Sequence, residues 1–113
     1  MINPIFAGVT SLLQMDEIQL KLDPNGKGAF VIEQNGELLA EMVIAIDKYN
    51  LTVYHTEVSE KLKGQGVGSK LLSTMVEYAR KHKLKVIALC QFVNAQFKRH
   101  PELYTDVWNQ DWH

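Results

Sequence analysis

The stretch that most constrains this chain is a glycine-rich loop between a predicted strand and a predicted helix. Gly64, Gly66 and Gly68 alternate there, and the loop opens directly into an amphipathic segment. Because glycine has no Cβ, a ligand can approach this backbone closely. The first amides of a helix lack intrahelical partners and carry the positive end of the helix dipole. The loop therefore predicts a phosphate-binding site where a strand passes into a helix.

The segment after the loop has the spacing of a helix that lies on a core. Its apolar residues recur with the helical period at Val67, Leu71, Leu72, Met75, Val76 and Ala79. Basic residues around His82 end this predicted helix, where cations suit the negative end of the dipole. A tight strand-to-helix turn without any ligand is the alternative interpretation of the loop.

The chain before the loop predicts four antiparallel strands joined by turns, with no helix between them. Asn35 and Gly36 form the strongest short hairpin signal, typical of a type I′ turn. The strands are predicted at residues 17–22, 28–34, 37–47 and 51–58. In the third strand we expect one face to be shared by Leu38, Ala40, Met42, Ile44 and Ile46.

The chain after the first helix predicts one more strand and one more helix. Residues 85–90 read as a short apolar strand, reached by a crossover and therefore parallel to the fourth strand. A second helix is predicted from Phe92 to Arg99, and Pro101 stops it. The predicted fold class is α+β, an α/β sandwich: four meandering strands, a helix, a parallel fifth strand and a C-terminal helix.

Composition narrows the classes of function. With 12 Lys plus Arg against 13 Asp plus Glu, the chain lacks the basic excess of nucleic-acid-binding proteins. No apolar run reaches the roughly 18 residues of a membrane span. One cysteine cannot form an internal disulfide, so we expect a reducing cytoplasm.

The 113 residues suit one domain, which we assign to residues 15–113. Residues 1–14 carry no charged side chain and lack the basic start of a signal peptide, so we expect an N-terminal extension. Trp108 and Trp112 lie near the C-terminus, where packing on the sheet or a homodimer or partner contact is expected.

Two nucleotide-binding motifs fail in the glycine loop, and a third fits. The P-loop needs Lys directly after its last glycine, but Ser69 stands there. The same Ser69 occupies the last glycine position of the dinucleotide fingerprint. The pattern Lys63-x-x-Gly66-x-Gly68 instead resembles the pyrophosphate loop of the GCN5-related N-acetyltransferases.

The resemblance extends over most of the chain and is strongest to the small, single-domain, YjdJ-like branch of that superfamily. The segments that carry it, in order, are residues 55–58, 64–72, 79–80, 84–87, 90–93 and 99–102. It implies that the fourth and fifth strands splay apart and that acetyl-CoA lies in the gap, with no metal. Pantetheine is expected to pair with the backbone at Val58. Lys63 is expected beside the phosphates. The pyrophosphate is expected on the amides of Gln65, Gly66, Val67, Gly68 and Ser69.

The resemblance also implies an unusual acceptor side. Larger acetyltransferases have helices between their first two strands, whereas only a turn at residues 23–27 joins them here. The expected function is acetyl-CoA-dependent N-acetyl transfer to an unknown amine. The alternative is a non-catalytic module or sensor that binds acetyl-CoA, or a protein that completes its groove with a partner.

Cys90 is the candidate nucleophile. It directly precedes the second predicted helix, and a helix N-terminus favours the thiolate form of cysteine. Such a thiolate can take the acetyl group and pass it on. The alternative is a small buried hydrophobic residue, the commonest environment of a free cysteine.

His55 and Glu57 are the candidate general bases. They lie two residues apart on a predicted strand, so both side chains point to one face. Neutral histidine accepts protons near pH 7, and by analogy a carboxylate on this strand serves in larger relatives. The alternatives are a histidine hydrogen-bonded within the sheet and a glutamate that faces solvent.

Overall fold

The computed structural model describes residues 17–111, so the extension expected at residues 1–14 and Trp112 lie outside the described part of the chain. One sheet has the strand order β1-β2-β3-β4-β5. Its first three pairings are antiparallel, and the pairing of β4 with β5 is parallel. The strands are β1 (Gln19–Leu22), β2 (Lys27–Gln34), β3 (Glu37–Ile46), β4 (Asn50–Val58) and β5 (Lys85–Ala88).

In the described part of the chain, three helices follow the meander. They are α1 (Val67–Lys81), α2 (Gln91–Arg99) and the short α3 (Pro101–Tyr104), and a 3-10 turn (Glu60–Leu62) precedes α1. This arrangement confirms the predicted α+β sandwich with a helical crossover between β4 and β5. Between residues 17 and 111, no helix is both long and apolar enough to cross a bilayer.

The turns between the first strands follow from their sequence. The Asp23 carboxylate accepts hydrogen bonds from the amides of Asn25 and Lys27, at 2.8 and 2.9 Å. Asn35 and Gly36 have φ angles of 53° and 80°, the left-handed pair that a type I′ hairpin requires. The chain therefore passes from β1 to β2 in a turn, without a helix.

The hydrophobic core lies between one face of the sheet and the helices. Helix α1 buries the six residues that helical spacing predicted, and α2 adds Val93 and Phe97. The sheet contributes Phe30, Ile32, Leu39, Ala40, Met42, Ile44, Leu51, Val53 and Val86 to the same cluster. We call this the inner face of the sheet. No described helix covers the opposite, outer face.

A β-bulge in β3 changes which residues face the core. The register passes from Ile32 opposite Ala40 directly to Glu33 opposite Leu38, so Leu39 is an extra residue. Leu39 and Ala40 are both buried, whereas Leu38 is 47% exposed. The expectation that Leu38 shares the apolar face is wrong, because a bulge shifts the two-residue alternation by one position.

The segment after α3 covers the outer edge of β5. Val86 donates its amide to the Val107 carbonyl at 2.6 Å and accepts from the Asn109 amide at 2.9 Å. Phe97 stacks on Tyr104, with ring centroids 4.5 Å apart, and meets Trp108 edge-on at 5.5 Å. These contacts pair the free edge of β5 and pack aromatic rings beside it.

An ion pair attaches this segment to α1. Arg80 donates from Nε and Nη2 to the two carboxylate oxygens of Asp106, at 2.8 and 3.2 Å, and from Nη2 to the Leu103 carbonyl at 2.6 Å. The hydrogen bond from Arg80 holds the pKa of Asp106 below its ordinary value. A carboxyl group whose pKa is lower in the folded than in the unfolded protein stabilises the fold at pH values above its unfolded pKa. This contribution is lost as the pH falls through the folded pKa.

We therefore expect Arg80→Met to lower the free energy of unfolding by about 0.5–1 kcal/mol at pH 7, since exposed pairs are screened by solvent. Below about pH 4 the difference should shrink as Asp106 protonates. The difference should not vanish, because in the wild type the hydrogen bond from Arg80 to the Leu103 carbonyl persists at low pH. Urea titrations at both pH values measure it, with Lys81→Met as the control. A pH-independent difference would contradict the assignment.

The end of α1 carries local backbone strain at Lys83. This exposed residue has a φ of 58°, the left-handed conformation that glycine usually provides after a helix. The amide of Leu84 reaches back to the Ala79 carbonyl at 2.8 Å, which holds Lys83 in that conformation. A side chain with a Cβ costs about 1 kcal/mol there.

Lys83→Gly should consequently stabilise the protein by up to about 0.5 kcal/mol, the relief of strain being partly offset by the greater freedom of glycine in the unfolded chain. Lys81→Gly is the matched control within helical geometry and should destabilise by a similar amount. Urea midpoints at unchanged m-value measure both. Equal effects of the two substitutions would contradict the strain argument.

Candidate functional site

A second β-bulge, in β4, organises the candidate site. The register passes from Val43 opposite His55 to Ile44 opposite Val53, so Tyr54 is the extra residue. Before the bulge, Leu51 and Val53 are buried in the core. After it, Thr56 lies opposite the buried Met42 and therefore faces the inner side. Without the bulge, His55 would continue the inner-facing row.

The bulge consequently places His55 and Glu57 on the outer face. Glu57 lies directly opposite Glu41 of β3, and both His55 and Glu57 are exposed. One ligand atom each of Glu41, His55 and Glu57 lies within 4.8 Å of the others. Imidazole and carboxylate groups can accept protons or ligate a cation, and within residues 17–111 these residues form the one cluster of three such side chains.

Beyond the bulge, β4 and β5 diverge. Their pairing ends at Val53 opposite Ala88, although β4 continues for five more residues to Val58. The Val53 carbonyl accepts the amides of both Leu89 and Cys90, at 3.0 and 2.9 Å, and the chain then turns into α2. β5 thus ends two residues earlier than predicted, because Leu89 and Cys90 form the turn. The result is a gap beside the second half of β4.

The backbone of Val58 is open to this gap. Backbone groups alternate along a strand, and Ser59 donates its amide to the Leu39 carbonyl of β3 at 2.7 Å. The amide of Val58 therefore points away from β3, toward the side that β5 has left. The side chain of Val58 is 38% exposed. A ligand in the gap can pair with β4 as a missing neighbour strand would.

The glycine loop leads from this gap to α1. Gly66 is the N-cap residue of α1, with a φ of 70°, and Gly64 has a φ of 81°. A Cβ at either residue would meet nothing within 4 Å, so conformation rather than crowding requires glycine there. Among the described residues, no group accepts a hydrogen bond from the amides of residues 66–69. These four amides are free to receive an anion.

Gln65 differs from its neighbours in the loop. Its amide donates to the Leu62 carbonyl at 3.2 Å, so this donor is used within the loop itself. Gln65 is also absent from the lining of the adjacent concavity of about 400 Å³. The predicted row of amides therefore begins at Gly66. The lining of this concavity does include Val58, Lys63, Gly66, Val67, Gly68 and Ser69.

Charge and packing complete the loop. The Lys63 side chain is 79% exposed, and its Nζ lies 3.8 Å from a carboxylate oxygen of Glu60. Gly68 has a packing role that its spacing alone did not reveal, since a Cβ there would come within 3.3 Å of the Phe92 ring. The N-termini of α1 and α2 are thus packed closely beside the gap.

Cys90 lies at the inner side of the gap. It is the N-cap residue of α2, which begins at Gln91, one residue earlier than predicted, and it is 4% exposed. Its Sγ lies 3.4 Å from Oγ1 of Thr56. The structure therefore separates the three predicted catalytic residues, with Cys90 on the inner side of β4 and His55 and Glu57 on the outer side. Sequence reasoning missed Thr56 and Glu41, because only the bulge and the strand register bring them to these positions.

Comparisons with known proteins found matches to this chain. The family model described as GCN5-related N-acetyl-transferase matches residues 29–107. The solution structure of a GCN5-like putative N-acetyltransferase from Staphylococcus aureus is 33% identical, with a TM-score of 0.58, and the match covers 85% of this chain and 97% of that one. No curated protein matches significantly.

A second solved structure shares the fold at lower identity. It is the ribosomal-protein-alanine N-acetyltransferase from Brucella melitensis biovar Abortus 2308, with 18% identity and a TM-score of 0.50. That match covers 78% of this chain and 66% of the other chain. On the family model and the Staphylococcus aureus relative, this chain belongs to the GCN5-related N-acetyltransferase family.

Proposed function

We propose that this protein binds acetyl-CoA beside β4 and transfers its acetyl group to an amine. The observation that carries the proposal is that two sets of backbone groups, both without hydrogen-bond partners among the described residues, lie next to each other. Val58 faces the gap left by β5, and the free amides of residues 66–69 lie at the adjoining end of α1. Pantetheine would pair with β4 at Val58, and the pyrophosphate would lie on the amides.

The electrostatics of the loop support an anionic ligand. The helix dipole and four unpaired amides favour a diphosphate, and Lys63 adds a cation at the rim. The Glu60 carboxylate would repel an anionic ligand, and Lys63 also neutralises that negative charge. A covalent route through Cys90 also needs a free thiol, so a reducing cytoplasm is the compartment that we propose.

Acetyl transfer can follow a direct route. The amine nitrogen attacks the thioester carbonyl, an N–C bond forms, and the C–S bond to CoA breaks. His55 or Glu57 takes the proton from the amine, and the departing CoA thiolate gains a proton. Both side chains lie on the outer face, so this route requires the amine to approach from there.

The covalent route uses Cys90 instead. Its sulfur attacks the thioester carbonyl, acetyl-cysteine and CoA form, and an amine then takes the acetyl group from the sulfur. This sulfur lies on the inner side, beside the gap. The two routes thus differ in the face of β4 on which the first bond forms.

A non-catalytic acetyl-CoA-binding module is the second candidate function. The observation that favours it is the turn held by Asp23, which leaves no described helix over the outer face where an acceptor would be enclosed. Small-molecule sites are usually concave, and an open face gives little discrimination between amines. Binding of acetyl-CoA without turnover over a broad amine panel would favour this candidate.

Binding tests the phosphate site first. We expect Gly66→Glu to weaken CoA binding at least a hundredfold, because a carboxylate about 5 Å from a phosphate charge costs roughly 3 kcal/mol at an effective dielectric near 20. Gly36→Glu is the matched control, since Gly36 also has a positive φ and nothing within 4 Å of its Cβ position. Gly66→Gln separates charge from strain. Calorimetric titration that shows unchanged affinity for Gly66→Glu would refute the site.

Chemistry is tested by intact mass after incubation with acetyl-CoA and acid quench. The covalent route predicts one added acetyl group in the wild type and none in Cys90→Ala. The direct route predicts no adduct and amine turnover that survives Cys90→Ala but falls at least tenfold in His55→Gln or Glu57→Gln. Neither an adduct nor turnover, with CoA binding intact, would contradict both routes and leave the binding module.

A further inference from the structure

We propose that Thr56 is a positioning residue for Cys90. Its hydroxyl holds the Cys90 sulfur beside the gap and donates a hydrogen bond to the thiolate when that form attacks. The inference rests on the covalent route of the proposed function. It assigns a role to a residue that neither the glycine loop nor the predicted catalytic residues include.

The contact between the two side chains is a product of the β4 bulge. Thr56 Oγ1 lies 3.4 Å from Cys90 Sγ, although the residues are 34 positions apart in the chain. Tyr54 is the extra residue that turns position 56 to the inner face, opposite Met42. A regular strand would place His55 on that face and Thr56 on the other.

The main chain of Cys90 is already fixed by other groups. Its amide donates to the Val53 carbonyl, and its carbonyl accepts the Asn94 amide, both at 2.9 Å. Its side chain caps no amide of α2, although it occupies the N-cap position. Among residues 17–111, Thr56 is the hydrogen-bond partner of the sulfur. The Thr56 hydroxyl therefore gives the buried sulfur its polar contact.

The hydroxyl group suits both states of the sulfur. With the neutral thiol, either the S–H or the O–H can donate, whereas a thiolate can only accept. Hydrogen bonds to an ionised acceptor are roughly twice as strong as neutral ones, so the Thr56 hydroxyl holds the sulfur most firmly in the form that attacks. The thiolate is the reactive form of cysteine.

The transfer balances without consuming Thr56. The Cys90 thiolate forms a bond to the acetyl carbonyl carbon, and the C–S bond to CoA breaks. The proton that the Cys90 thiol gave up is matched by the proton that the CoA thiolate gains. The hydroxyl of Thr56 donates to the sulfur before the attack and is released as the sulfur becomes a thioester.

Valine, serine and a second threonine give a sharp set of variants. Thr56→Val keeps the shape and removes the hydroxyl, and Thr56→Ser keeps the hydroxyl. Thr52→Val is the matched control on the same strand, since Thr52 lies between the buried Leu51 and Val53 and so faces the outer side. Thermal unfolding and CoA affinity, measured for each variant, show that fold and ligand site are intact.

The experiment measures two rates on the full chain, in which Cys90 is the one cysteine. The first is modification by methyl methanethiosulfonate, a small thiolate-specific reagent, and the second is the appearance of the acetyl adduct. We expect Thr56→Val to slow both rates about fivefold, the effect of losing one ordinary hydrogen bond to the reacting sulfur. Thr56→Ser and Thr52→Val should remain within twofold of the wild type.

The outcomes separate this inference from the proposed function. Wild-type rates in Thr56→Val, or equal slowing in Thr56→Ser, would overturn the role of the hydroxyl. A wild-type sulfur that does not react with the small reagent would overturn it too, because such a sulfur cannot receive an acetyl group. A hydroxyl-dependent reaction with the reagent but no acetyl adduct would support the positioning by Thr56 and refute the covalent route instead.

Discussion

The structure of the candidate site depends on the point where β4 stops pairing with β5. Two amides, those of Leu89 and Cys90, converge on the Val53 carbonyl and end the parallel pairing there. On the β3 side, the bulge at Tyr54 falls at the next residue. A bulge increases local twist and bends the strand. Strand β4 therefore moves away from β5 at the point where its side chains exchange faces. The gap and the new facing of the side chains thus arise together.

This arrangement divides the chemical groups between the two faces of one strand. Thr56 and Cys90 lie on the inner side with the helices, while His55, Glu57 and Glu41 lie on the outer side. A thioester in the gap would be reachable from both faces. The two routes of acetyl transfer are therefore geometrically distinct rather than two descriptions of one site.

The short strand β5 supports the gap from its other edge. It has only four residues, and the segment from Val107 to Asn109 pairs with its free side at Val86. The Arg80–Asp106 pair and the stacked Phe97, Tyr104 and Trp108 hold that segment in place. A strand fixed on both edges can end abruptly without fraying, which keeps Cys90 at a defined position.

Local chemistry made much of the architecture predictable. The type I′ hairpin at Asn35 and Gly36, the buried stripe of α1 and the free amides after Gly66 follow from φ preferences and helical period, which neighbouring residues determine. The same holds for Cys90 before α2. The predicted end of β5 at Cys90 and the predicted facing of Leu38 were wrong, since both depend on pairing with other strands.

The amino-acid sequence by itself determined the order of elements, the glycine loop at the start of α1, and the pairing of His55 with Glu57 on one face. Only the tertiary structure decided which face that is, that Glu41 joins them, that the Gln65 amide is already used, and that Thr56 meets Cys90. The physical reason is the bulge. A single extra residue reverses the facing of every side chain beyond it, and its position is set by strand pairing rather than by local preference.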